Sequence, residues 1–263
     1  YTKDAKHDEG GKIKLLGGRY GSHLASTYYA DRFDDFSYFT YVGEYNNKRK
    51  SYENDGSHLN RDQLRDRFYG SLSIENHRLE LHAVKNADDA FMGKFNNFEI
   101  QDNEREHQYI SISSHSEFID KSLKLNLSYT SSETEITETL NIRNSFSPSI
   151  FTYDKTKEDS LTALLEKKWN LRHHEISLGL QYRYKTFDIE DVYFGGLPTP
   201  FTQTFDSEQI YSLYLQDLYH LNENSVFSFS VMNQFYRRDG DVDEPNNSQL
   251  RLGYIYTDKK YSA

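Results

Sequence analysis

The 263-residue chain has no cysteine, which excludes disulfides and thiolate metal sites and fits a protein of the cell envelope. It has no apolar run near the roughly 20 residues that a spanning helix requires, so a helical membrane protein is excluded. Apolar residues are scarce, at 36% of the chain with a mean hydropathy of −0.87. Basic residues are outnumbered as well: a net charge of −10 argues against general nucleic-acid binding, which depends on neutralising phosphates. What is abundant is aromatic: 22 Tyr and 17 Phe. A disordered chain of this polarity would lack those rings, and a soluble globule would hold more Leu, Val and Ala for its core. An apolar side turned outward around a polar or water-filled interior reconciles the two facts, as in transmembrane barrels.

The apolar positions recur with period two. In 208–221, Tyr211, Leu213 and Leu215 share a face; in 226–236, Phe227, Phe229, Val231 and Phe235 do; in the segment after them, Leu250, Leu252, Tyr254 and Tyr256. Successive strand residues point to opposite sides, so each segment has one oily and one wet face. The same alternation marks Leu72 and Ile74, Leu79 to Ala83, Leu123 to Tyr129, and Ile176 to Tyr184, while Phe39, Tyr41 and Tyr45 share one face of 36–45. The sum is an all-β, antiparallel up-and-down chain of about 12 to 13 strands, each close to the roughly 9–11 residues of a tilted span. The Thr- and Ile-rich segment 131–157 is open between strand extensions and a loop, given Pro148. Residues 158–168 fit an amphipathic helix by spacing, but their place in the meander favours a strand.

The connections sort by length. Short turns fall at Asp34, Asn76, 118–121, Arg172, Asn222 and Asp258, with long polar stretches between them. In an up-and-down barrel every second connection lies on the same rim. One rim thus carries tight turns and the other long loops, the asymmetry of outer-membrane barrels.

Gly17-Gly18-Arg19-Tyr20-Gly21-Ser22, followed by Phe36-Ser37-Tyr38-Phe39-Thr40-Tyr41, resembles the first barrel strands of TonB-dependent outer-membrane receptors. Tyr211-Ser212-Leu213-Tyr214-Leu215-Gln216-Asp217 and Leu250-Arg251-Leu252-Gly253-Tyr254-Ile255-Tyr256 resemble later strands of the same family. The resemblance implies a bacterial outer-membrane location and uptake of a scarce nutrient of the ferric siderophore, haem or cobalamin class. It implies contact with outer-membrane lipid and lipopolysaccharide, and coupling to the TonB complex through a plug domain. On this reading 1–11 is a linker from a plug preceding Tyr1, and 12–263 is part of a barrel of about 22 strands. The alternative is a self-contained pore or barrel enzyme of about twelve strands.

No Ser, His or Asp stands in a recognisable catalytic context, so the expectation is a binding protein that is not an enzyme and carries no cofactor. Ligand capture is expected on the long-loop rim, from the aromatics Phe91, Phe95, Phe98, Tyr193, Phe194 and Phe201 and the basic pair Arg237 and Arg238. Packing of the loops on one another, or a place in the outer aromatic girdle, is the competing role for those rings. Asp239, Asp241 and Asp243 reproduce the first half of a calcium loop. Glu244 stands where its Gly is needed and Leu250 where its bidentate Glu is needed, which favours a solvated acidic loop over a metal site. His107 and His115, evenly spaced along one strand, are expected to face a lumen together, and the adjacent His173 and His174 to diverge.

Overall fold

A computed structural model describes residues 9–49, 52–54, 57–59, 62–89, 98–142, 150–194, 197–198, 206–240 and 246–257. Twelve strands form one antiparallel meander, each paired with its neighbours in sequence. They are β1 (Gly10–Gly17), β2 (His23–Phe33), β3 (Phe36–Asn47), β4 (Gln63–Ile74), β5 (His77–Asp89), β6 (Phe98–Phe118), β7 (Leu123–Ile142), β8 (Ile150–Leu171), β9 (His174–Phe194), β10 (Ser207–Asn222), β11 (Ser225–Arg238) and β12 (Asn247–Tyr256). A short hairpin, Tyr52–Asn54 with Ser57–Leu59, forms a separate ribbon, and Leu197–Pro198 pairs with the end of β9. β1 begins at Gly10, inside the segment read from sequence as a linker.

The tight turns at Asp34, Asn76, 118–121, Arg172 and Asn222 lie where the sequence places them, and the one read at Asp258 lies outside the described residues. Asp34 (φ 48°) and Glu75 (φ 51°) open two-residue turns in the left-handed region, whose twist matches that of antiparallel strands. Strands β6 to β9 are much longer than the alternation suggested, at 21, 20, 22 and 21 residues. The ambiguous segment is therefore mostly strand, and 158–168 lies wholly within β8. Cross-strand partners supply the hydrogen bonds that local Ser and Thr content cannot forecast. A span needs only about half of such a strand, so these four carry on well past the others at the long-loop end.

The sheet is inverted relative to a soluble one. Apolar side chains of nearly every strand lie on the exposed face, from Leu72, Leu81 and Ile112 through Leu165, Leu180 and Leu213 to Leu252. The buried residues Ala30, Phe39, Ser71, Val84, Glu208, Ile210 and Ser212 lie on the other face. The exposed face is layered. A wholly aliphatic row runs Leu178, Leu215, Val231, Leu250 across β9 to β12. Toward the long-loop end lies the row Tyr182, Tyr211, Phe235, with the two Tyr rings 5.2 Å apart. Toward the tight turns lies His174, Tyr219, Phe227, Tyr254. Tyr211 and Tyr219 stand eight residues apart on β10, about 26 Å along a strand at ~3.3 Å per residue. Projected on the barrel axis at the usual tilt of about 35–45°, this is about 19–22 Å, slightly shorter than the ~25 Å apolar band between the two aromatic girdles of outer-membrane barrels.

The inward face is polar but crowded. Phe39, 2% exposed, stacks on Tyr28 at 5.6 Å and meets Tyr69 at 5.8 Å. Tyr69 donates to Glu80 at 2.6 Å and accepts from Arg78 at 2.9 Å. Further along, Tyr214 lies across Gly179, where a Cβ would overlap its ring, and its hydroxyl donates to Glu166. Glycine is thus required there by close approach.

Candidate ligand-binding face at the long-loop end

Alternation decides which side chains near the long-loop ends look inward. On β8 to β11 the inward set includes Glu158, Lys185, Phe187, Glu208, Ile210 and Arg238. Lys185 Nζ donates to Glu158 Oε1 at 2.9 Å and lies 5.5 Å from the centre of the Phe187 ring. Arg238 reaches Glu208 Oε2 at 2.7 Å through both Nε and Nη2, with its guanidinium 5.8 Å from the Tyr236 ring. Glu208 is only 8% exposed, so this charge-assisted contact sits in a poorly solvated place and is strong. The result is an amphipathic wall: charged pairs interleaved with rings, the mix that binds a polar ligand with an apolar body.

On β3 to β6 the inward residues enclose a recess of about 260 Å³, lined by Tyr45, Gln63, Arg65, Asn86, Asp88, Arg105 and His107. Arg65 Nε donates to Asn86 Oδ1 at 2.8 Å, and His107 Nδ1 lies 2.9 Å from Thr134 Oγ1. A larger hollow of about 720 Å³ is lined by the outward side chains Val42, Phe68, Ala83 and Ile110 together with Glu44 and Lys85. It faces the same side as the apolar belt, and Asp66, Gln108, Glu133 and Lys157 complete its rim.

Arg237 and Arg238, paired by sequence, part company in the structure. Adjacent strand residues point oppositely: Arg238 looks inward to Glu208, whereas Arg237 looks outward and lies 5.9 Å from the Tyr211 ring of the upper girdle. Phe98 stands on β6, and Tyr193 and Phe194 on β9, in strand extensions where the sequence suggested loops; their side chains are outside the described set. Phe91, Phe95 and Phe201 lie outside the described residues. So do Asp241 and Asp243 of the half calcium motif. Asp239 is described, and its carboxylate accepts from the backbone N–H groups of Asp206 and Ser207, which tie the start of β10 to the end of β11. No group of three or more His, Asp or Glu able to hold a metal occurs among the described residues. His107 and His115 both face inward, as expected, and His174 bonds Asp217 at 2.8 Å on the outward face while His173 occupies the turn. The residues missed by sequence reasoning are Arg65, Arg105, Lys185 and Glu208. Their parity was legible, but their proximity follows from register alone.

The hydrogen bonds from Ser207 and Asp206 N–H hold the Asp239 carboxyl below the usual aspartate range. A depressed folded-state value stabilises the ionised form, so this tie is complete above the ordinary aspartate pKa and weakens as pH falls through the lower folded value. Hydrogen exchange at the Ser207 amide is expected to stay protected down to mildly acidic pH and, over that same range, to be faster in Asp239→Ala. Equal protection in the variant would refute the tie.

No protein-family model matches the chain, and no curated protein is detectably similar in sequence. Its fold does match solved structures. The ferripyoverdine receptor of the outer membrane of Pseudomonas aeruginosa, bound to ferripyoverdine, superposes with a TM-score of 0.66 at 11% identity, over 97% of this chain and 41% of that one. The siderophore receptor PirA from Acinetobacter baumannii gives 0.62 at 10% identity, over 97% and 42%. The ferric yersiniabactin uptake receptor FyuA from Yersinia pestis gives 0.57 at 11%, over 94% and 43%. The chain thus spans about two fifths of the length of these receptors, and the likeness is one of fold.

Proposed function

We propose that this chain, whose strands run as the barrel strands of siderophore receptors do, is wall of an outer-membrane receptor that takes up a ferric chelate. The observation that carries the reading is the inverted sheet: an aliphatic band between two aromatic rows on one face, and a charged, ring-studded mouth on the other. The band meets outer-membrane lipid, and the extended polar ends of β6 to β9 stand at the level of lipopolysaccharide. The mouth binds its ligand for uptake. Uptake is coupled to the TonB complex through a plug domain, as the family resemblance implies.

The test is a binding screen on the intact protein in detergent with ferric siderophores, haem and cobalamin, followed by uptake in cells with and without TonB. A ferric siderophore is expected to bind, and its uptake to require TonB. Binding of haem or cobalamin alone would move the ligand class, and TonB-independent passage would replace the receptor by a pore.

A further inference from the structure

The recess on β3 to β6 brings two arginines, Arg65 and Arg105, into the lining of one small concavity. Many inward-facing cations meet carboxylates: Arg238 meets Glu208, Lys185 meets Glu158, Arg78 meets Glu80, Lys124 meets Glu117 and Lys168 meets Glu175, whereas Arg251 on β12 reaches, among the described residues, only the amide oxygen of Gln249 at 3.1 Å. In the recess, Arg65 is braced through Nε by the neutral amide oxygen of Asn86. Beside it, Arg49 is braced in the same way, with Asn47 oriented so that its oxygen accepts from Arg49 Nε at 3.0 Å and from the Tyr45 hydroxyl at 3.2 Å. A neutral brace fixes the plane of a guanidinium and leaves its charge uncompensated. Among the described residues the lining holds one carboxylate, Asp88, which lies opposite Arg105 in the β5–β6 register. Two guanidinium groups against one carboxylate leave a net positive charge in a concave, partly walled place.

We propose that this recess is an anion subsite that takes a carboxylate-bearing group, so that the ligand of the mouth is an anionic polycarboxylate. Planar forked donors match carboxylate geometry, and the single net charge left by Asp88 suits a monoanionic carboxylate better than a phosphate dianion. At about 260 Å³ the recess lies below the ~300–1,000 Å³ of sites that enclose a whole drug-sized ligand. It therefore takes one acidic arm, while the body of the ligand lies on the amphipathic wall of β8 to β11. The ferric part of this assignment rests on the receptor reading above; the anion subsite itself does not.

The experiment is calorimetric titration of the intact protein in detergent with citrate, ferric citrate, inorganic phosphate and a neutral ferric trihydroxamate. The wild type is compared with Arg65→Gln/Arg105→Gln and with Arg251→Gln, which removes an inward charge on β12 outside the recess. Citrate and ferric citrate are expected to bind about tenfold or more weakly to the double variant, which loses both forked donors. Arg251→Gln is expected to leave them unchanged. Equal citrate affinity in the double variant and wild type, no citrate binding at all, or phosphate binding as tightly as citrate would each overturn the carboxylate subsite. Binding of the neutral trihydroxamate without citrate would sink the subsite and leave the receptor reading standing. Arginine-dependent binding of free citrate, with no ferric chelate bound, would do the reverse.

Discussion

Leu215→Arg is expected to weaken folding into bilayers by about 2–4 kcal/mol, the cost of an arginine on the lipid face of a strand near the membrane midplane. Leu215 lies in the aliphatic row between Leu178 and Val231, four residues from each of the girdle residues Tyr211 and Tyr219. There a guanidinium has neither water nor a headgroup within easy reach. Two comparisons make the result specific. Tyr219→Arg, in the lower girdle, is expected to cost only about 0–1 kcal/mol, because the penalty fades toward the interface. Gln216→Arg, one residue on and facing inward, is expected to be nearly neutral. The measurement is reversible unfolding in urea from lipid vesicles. Equal costs for Leu215→Arg and Gln216→Arg would show that the apolar face does not meet lipid.

Arg238→Ala is expected to destabilise by about 3–5 kcal/mol, because truncating one partner of a poorly solvated ion pair leaves the other charge uncompensated. The side chains of Arg238 and Glu208 are 21% and 11% exposed, so solvent screens them far less than it does a surface pair. Arg237→Ala is expected to cost well under half as much, since Arg237 faces out beside Tyr211. In Arg238→Met/Glu208→Met, much of the loss is expected to return, because the penalty belongs to the orphaned carboxylate. The same unfolding measurement separates the three. Similar losses for Arg237→Ala and Arg238→Ala would show that the inward pair contributes nothing special.

These expectations draw on both levels of description. That β10 has an apolar and a polar face is written in Tyr211, Leu213 and Leu215 and the residues between them. That the pattern belongs to a membrane-facing sheet is written in the mismatch between low apolar content and abundant rings, and in the sorting of short turns from long connections. Strand β3 shows where pattern stops. It carries Phe36, Tyr38 and Val42 on one face and Phe39, Tyr41 and Tyr45 on the other, so apolarity alone does not say which is inside. Its pairing with β2 and β4 does, by setting Phe39 against Ala30 and Ser71 on the crowded face.

The strand extensions failed to show in the sequence for a related reason. Residues 131–137 and 153–157 are rich in Thr, Glu and Lys, polar on both faces, so they give no period-two signal. They are strands because each has a partner on both sides: Lys155 lies opposite Glu135 on β7 and Asp191 on β9, and its ammonium reaches Glu133, diagonally across, at 3.5 Å. Cross-strand pairing is a property of two segments, and propensity describes only one.

By itself, then, the sequence determined the class of structure and the number and order of its strands, because these follow from local period and spacing. The tertiary structure decided which neighbours meet. It sent Arg237 and Arg238 to opposite faces and drew Arg65 to Asn86 and His107 in one recess. It also brought Lys185 to Glu158 across 27 positions of chain. A period of two assigns a side chain to a face, but only the register of paired strands sets which distant residue stands beside it.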